Sequence, residues 1–452
     1  MDKAKQNRKE LRQSRYISGI LGWGIAAIFA VTPFYAPITV QLASHYNHFD
    51  LLRIWKEIAL TLLGLIMAWF MLTHRRRAKS MLSDRLFASM IVYAAILVLV
   101  SIYDLISGRV SHSATVYGLM INLRLVGFFG VVYAAFRSSN LHKSFPWQKL
   151  ILIPAALVVL FGALQATILP KDILRHIGYS KQTIVPYQTV DNRPDFARVQ
   201  STLRGPNPLG AYLAVIICLI FSLWLAAHSR SRLYLAIFGL LSFYVLFMTY
   251  SRSALVGTLL GLVVIMAIHE RRFLARRSIF LLIPALVGLA VLVPLASRSY
   301  TLQNIFFHTS NKSTSNQSSN NARVQALRQG TEDVISHPLG GGVGSAGPAS
   351  LRNLKNPPKI AESYFIQIGQ EVGIIGLISF VVVNMLLIIR LYKQKDDPLV
   401  RALLASLIGL IFVNLVSHAW ADDTLAYVWW GLAGIALSQT NYMAQPQPSI
   451  KK

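Results

Sequence analysis

Residues 355–385 read KNPPKIAESYFIQIGQEVGIIGLISFVVVNM. A basic, proline-bearing loop gives way to an apolar stretch that runs on to about residue 390. A helix apolar on every side is buried in protein or in lipid. About 20 such residues cross a bilayer core of roughly 30 Å, and the run over 366–390 meets that length. Two carboxylates, Glu362 and Glu371, stand at its start. An acidic residue is favoured at a helix N-terminus by the dipole alone, so Glu362 is read either as a helix cap or as a functional acid.

Runs of the same kind recur near 16–35, 52–73, 86–106, 115–136, 149–169, 208–227, 233–250, 253–269, 279–297, 402–418 and 425–440. With 366–390 they make about 12 transmembrane helices, and the expected fold is an all-α integral membrane protein forming a single polytopic domain over 1–452. Composition agrees. The 452 residues are 54% hydrophobic and 14% charged, against about 25% charged in soluble domains. The apolar stretch after the basic start MDKAKQNRKELRQSR has no small-residue cleavage site, so it is read as the first span. Cys218 is the one cysteine, which excludes a disulfide within the chain.

Short basic connectors (HRRRAKSMLSDR, RSSNLHKSFPWQK, HSRSR, ERRFLARRS and RLYKQKDDPLVR) belong on the cytoplasmic side together with both termini. Two long segments, 170–207 and 298–361, then face outward. Both are basic where orientation alone would leave them neutral, and the chain carries a formal charge of +26. A basic outward surface suggests an anionic partner; attraction to anionic headgroups is the plainer alternative. No nucleic-acid partner is expected.

Within the first segment, ARVQSTLRGPNPLG brings Arg198 and Arg204 to a span whose start GPNP marks. Asn207 suits the N-cap and Pro208 the first turn. Such a helix end beside two arginines fits a diphosphate, or else the arginines anchor at the interface. TYSRS, between two closely spaced spans, holds Arg252 near the outer edge of the bilayer, where an ionisable side chain usually faces a polar cavity. Arg124, deeper in its span, is expected to pair with a carboxylate such as Glu57 or Asp104.

An amphipathic helix is predicted over 321–336. It directs Arg323 and Arg328 to phosphate or solvent, and the glycine-rich GGGVGSAG that follows reads as a flexible hinge. That turn lacks the Lys-Ser/Thr ending of a phosphate loop. His337 is read as a capping residue. No metal-ligand spacing stands out, and ADDT at 421–424 is a weak candidate at most. No cofactor is called for.

Four of these motifs, taken in order over residues 198–376, resemble those of the O-antigen ligase and polymerase superfamily of polytopic glycan transferases. RVQSTLRGPNPLGAYL is similar to an Arg-x-x-Gly-Thr-Phe-x-x-Pro-Asn segment, with Ser201 and Leu203 departing from its glycine and phenylalanine. YSRSALVG is similar to a Ser-Arg span, HPLGGGVG to a Pro-Leu-x-Gly-x-Gly stretch, and ESYFIQIGQEVGIIG to a segment in which ligases carry histidine where this chain has Glu362.

The resemblance implies a GT-C-like membrane fold with two long extracytoplasmic loops in the bacterial cytoplasmic membrane. It also implies an inverting, metal-independent glycosyltransferase working at the outer face. Glu362 would be the base toward an acceptor hydroxyl, and Arg198 and Arg252 would hold an undecaprenyl diphosphate donor. Arg204, Arg323 and Asn207 would assist in binding. A lipid-linked oligosaccharide flippase is the alternative reading, since it too needs a basic cavity among many helices.

Overall fold

The computed structural model describes residues 2–46, 48–139, 141–190, 193–269 and 319–438. Its helices are α1 (Asp2–Val31), α2 (Tyr35–Tyr46), α3 (Phe49–Leu52), α4 (Trp55–Thr73), α5 (Arg75–Leu82), α6 (Arg85–Ser107), α7 (His112–Ser138), α8 (Trp147–Thr167), α9 (Pro206–Ala226), α10 (Ser229–Met248), α11 (Arg252–His269), α12 (Ser319–Ser336), α13 (Tyr364–Lys393), α14 (Pro398–Leu415) and α15 (Asp423–Ser438). In lipid, backbone polar groups must pair within their own segment, which selects helices.

Ten candidate spans, among the described residues, are long and apolar enough to cross a membrane. Two of the expected spans differ. The run near 425–440 forms α15, apolar but only 16 residues long, and the run at 279–297 lies outside the described residues, as does most of the polar stretch from His308. The first span is longer than expected: α1 and α2 join through a short turn into one segment over Ile17–Tyr46.

Burial sorts the helices into layers. In α7, α9 and α14 about 72% of the most apolar window is buried, against 17% in α10, so the first three form the centre and α10 faces outward. Close approach is set by small residues. Gly257 of α11 lies against the backbone of Gly409 of α14, and Gly210 of α9 against Ala254 and Ser251. Such contacts let helix backbones meet where apolar lipid supplies no hydrophobic drive, and they fix the end of α11 that carries Arg252. Trp420, Trp429 and Trp430, fully buried, pack edge to face with centroids 5.3–5.6 Å apart.

Buried charges on α4, α7 and α15 are paired. Arg124 meets Glu57 at 3.7 Å and also Asp423, while Lys56 meets Asp423 at 3.3 Å. The expected pairing of Arg124 therefore runs to Glu57 and not to Asp104, whose Oδ1 accepts from Arg109 at 2.6 Å. The two aspartates of ADDT are likewise engaged, Asp422 by Arg204 and Asp423 by Lys56 and Arg124.

One departure from all-helical structure lies in the first long segment. Gln188–Val190 (β1) and Arg193–Arg198 (β2) pair antiparallel, with Gln188 opposite Arg198. The hairpin is short, and the chain remains a polytopic helical membrane protein.

Candidate active site

Arg198 ends β2, and the strand is fastened there to the turn between α10 and α11. Val199 N donates to Met248 O at 3.0 Å, and Arg198 Nε to Thr249 O at 2.8 Å. Since Arg252 opens α11 three residues later, these two bonds bring the two motif arginines to one place. A cavity of about 140 Å³ opens there, lined by Thr189, Val190, Arg198, Asn207, Tyr250, Ser251, Arg252, Ser253, Arg323 and Ser417. Residues far apart in sequence thus put three guanidinium groups around one hollow.

Asn207 is not the helix cap the sequence suggested. Helix α9 begins two residues earlier, at Pro206, with Gly205 in the cap position, because proline is preorganised for the first helical position. This frees the Asn207 side chain, whose Oδ1 accepts from Arg198 at 2.5 Å. Arg198 is held from both sides, by a backbone carbonyl and by this amide. Burial, and then the positive charges of Arg323 and Arg252, pull its guanidinium down to about 10. Three like charges so placed repel, and a polyanion would relieve the repulsion.

Arg204 does not join them. It forms an ion pair with Asp422 at 3.0 Å and lines a second cavity with Tyr35, Arg53 and Gln188. The structure therefore does not bring Arg198 and Arg204 to one cavity. Five residues of tight turn separate the two arginines, and the chain sends them to different hollows.

Arg323 reaches the first cavity from α12, which spans Ser319–Ser336, close to the predicted amphipathic helix. Its partner is Glu362, with Nη2 to Oε2 at 3.6 Å. Glu362 is not among the cavity's lining residues and stands beside it through Arg323. It is also not the cap of α13; Ser363 is, its Oγ accepting from Ile366 N at 3.4 Å. Glu362 has φ 55°. The other described non-glycine residues with positive φ are Ser201 and Tyr250. Ser201 lies three residues after Arg198, and Tyr250 two before Arg252. A left-handed conformation costs an L-residue about 1–3 kcal/mol, and such strain gathers at functional sites.

Arg328, the other arginine of the helix, points away and pairs with Glu332. His337 donates its backbone N–H to Asp333 O at 2.9 Å, and its ring lies 3.2 Å from the Asp333 carboxylate.

The glycine-rich turn is no hinge. Gly341 and Gly342 N–H donate to the carbonyls of Gln370 and Glu371 at 2.7 and 3.0 Å, Val343 N–H to Asp104 at 2.8 Å, and Gly344 N–H to the Glu371 carboxylate at 3.0 Å. Helix α13 is broken at Gly373, with φ 75°, and Ile374 N–H bonds to Pro338 O at 2.9 Å. The turn fills the break and supplies the hydrogen bonds the helix gives up there. Glu371, fully buried and also bound by Asn122 at 2.8 Å, holds the turn in place.

Sequence reading missed His418. Its Nε2 is buried with no hydrogen-bond partner. Burial first, then the charges of Arg204 and Arg323, push the ring down to about 4. Ser417, its neighbour, lines the arginine cavity and accepts from Tyr364 N–H at 3.1 Å, two residues beyond Glu362. The signal, a histidine just past an apolar span, is too common to have singled it out.

Comparison with known proteins bears on this arrangement. Residues 237–381, about a third of the chain, match the family model described as O-Antigen ligase. Over that stretch the chain is similar to this family, which supports a place in the O-antigen ligase/polymerase superfamily. No curated protein matches it. The matched stretch includes Arg252, Arg323 and Glu362, while Arg198 and Asn207 precede it. The matched domain and the many apolar helices support a bacterial membrane protein with a role of the glycan-transferring, ligase or polymerase kind.

Proposed function

We propose that the protein transfers a glycan from a lipid-diphosphate carrier of the undecaprenyl type to an acceptor hydroxyl, with inversion and without a metal ion, at the outer face of the cytoplasmic membrane. The observation that carries this reading is the cavity shared by Arg198, Arg252 and Arg323, with Glu362 beside it. The diphosphate is the leaving group, and its charge grows as the glycosidic bond breaks. Guanidinium groups fixed in advance around that position stabilise the charge where it develops. Asn207 and the Thr249 carbonyl keep Arg198 in place for this task. A divalent cation brought to the same hollow would be repelled by three positive charges, so the arginines take the part a metal plays elsewhere.

Glu362 takes the proton of the incoming hydroxyl, whose oxygen attacks the anomeric carbon from the face opposite the diphosphate. One displacement assisted by one base inverts that centre. The same pairing with Arg323 that anchors the acid links it to the leaving-group site.

The test separates chemistry from binding. Glu362→Gln is expected to abolish transfer from a lipid-diphosphate glycan while leaving donor affinity within about twofold. Arg198→Ala and Arg252→Ala are each expected to weaken donor binding by about tenfold or more, the effect of losing a charge-assisted bond of about 1.5–3 kcal/mol. Wild-type turnover in Glu362→Gln would remove the base assignment. Unchanged donor affinity in both arginine variants would remove the site.

A further inference from the structure

A second cavity of about 270 Å³ lies on the other side of β1. The strand itself is the dividing wall: Gln188 lines this cavity, while Thr189 and Val190 line the arginine cavity. Alternation sets Gln188 apart from Thr189, and the register shift between Thr189 and Val190 accompanies the turn of Val190 to the cavity that Thr189 lines. The rest of the second lining is Tyr35, Ala36, Thr39, Phe49, Arg53, Arg204 and the segment 183–185. Two guanidinium groups and two aromatic rings are present, and no carboxylate is.

The hollow is formed in advance. Gln200, fully buried, donates through Nε2 to the carbonyls of Val185 and Pro186 at 3.0 and 3.2 Å and so fixes the loop that closes it. Arg53 donates to Tyr117 Oη, and its guanidinium lies 5.1 Å from that ring's centre. Arg204 is held by Asp422 and by the Ala421 carbonyl at 3.3 Å. Fixed cations beside aromatic faces recognise a ligand that is part apolar and part anionic. A sugar bearing a carboxylate or a phosphate has that character, and the hollow, close to the lower end of the roughly 300–1,000 Å³ typical of ligand pockets, takes the end of a glycan but not a lipid chain.

We infer that this second cavity is the acceptor subsite, and that it takes the end of an acceptor glycan carrying an anionic group. The inference rests on the assignment of the donor diphosphate to the arginine cavity. Two observations tie the hollows to one reaction. Neighbouring residues of β1 line both, and His418 lies within electrostatic reach of both Arg204 and Arg323. An acceptor seated against Arg204 and a donor seated against Arg323 thus lie near the same histidine, whose neighbour Ser417 accepts from Tyr364 N–H, two residues after Glu362.

Titration calorimetry on the full chain in detergent tests this. The probes are a galacturonic acid trimer, glucose 6-phosphate and a neutral glucose trimer, with undecaprenyl diphosphate measured separately. At least one charged probe is expected to bind about tenfold or more tightly than the neutral trimer, and the better of the two identifies the anionic group. Arg53→Gln is expected to weaken that binding about tenfold, and Ala36→Trp to abolish it by filling the hollow. Neither substitution is expected to change the affinity for undecaprenyl diphosphate, and Arg198→Ala is expected to leave the charged probe unaffected. If Ala36→Trp does not fold, Arg53→Gln decides.

Equal binding of neutral and charged sugars, no binding of any probe, or loss of the charged probe only in Arg198→Ala would overturn the inference. Failure of undecaprenyl diphosphate to bind the wild type would strike the donor assignment instead, whatever the sugars do.

Discussion

Ser201, Tyr250 and Glu362 hold backbone conformations that side chains disfavour, and each sits within a few residues of a cavity arginine or is ion-paired with one. Ser201 has φ 50°, a conformation that glycine adopts without strain. The serine is kept here by a buried bond from its Oγ to Val158 O at 2.6 Å. Ser201→Ala keeps the strain and loses the bond, and is expected to cost about 1 kcal/mol. Ser201→Gly loses the bond but relieves strain of similar size, so its thermal midpoint in detergent should stay near the wild type's. A glycine variant as unstable as the alanine variant would contradict this account.

His418 gives a dependence on pH. The fold holds it neutral, with a value near 4 against an ordinary 6.5. Its contribution is complete above about pH 6.5 and falls as the pH drops from there to about 4, because the unfolded chain binds a proton that the folded chain refuses. The loss is on the order of 3 kcal/mol. Unfolding measured between pH 7 and 4 should show a shallower slope in His418→Gln than in the wild type.

Among the elements, α13 depends on a segment that precedes its break by some thirty residues. Gly373 has φ 75°, and an added Cβ would collide with the backbone at Pro338 and Leu339. Gly373→Ala is therefore expected to destabilise the protein by about 3 kcal/mol or more, from the strained conformation and the clash together. Reduced yield of folded protein and a lowered midpoint would show it; wild-type stability would mean that the break is not fixed by the turn. The sequence made the length and place of α13 plain, since an apolar run is a local property. It did not make the break plain. Isolated glycines in a span are common, and only the carbonyls of Gln370 and Glu371, turned toward Gly341 and Gly342, show why these ones matter. The glycine-rich turn was misjudged for the same reason, because its rigidity comes from Asp104 and Glu371, which lie elsewhere in the chain.

At the scale of the whole molecule, the arginines of the site were legible as types of residue at span ends, but their grouping was not. Arg198 and Arg204 look equivalent in sequence, yet Asp422, more than two hundred residues on, takes one of them away. The formal charge of +26 belongs to the same scale. With three guanidinium groups already gathered in the cavity, transfer is expected to continue undiminished in excess EDTA, as followed by glycan release from the carrier lipid. A loss restored by a divalent ion would transfer the electrostatic role from the arginines to a metal.

Arg323 and Glu362 stand on two elements clasped together at several points. Asp333 of α12 accepts from Lys359 at 3.0 Å and from Gln370 of α13 at 2.9 Å, and Gly330 packs closely against Ala361. A shift of α12 away from the bundle would withdraw the cation proposed to hold the phosphate and drag the acid with it. Opening the hollow to let a product leave and switching off the base would then be one movement, so an unlatched site could not squander a waiting donor.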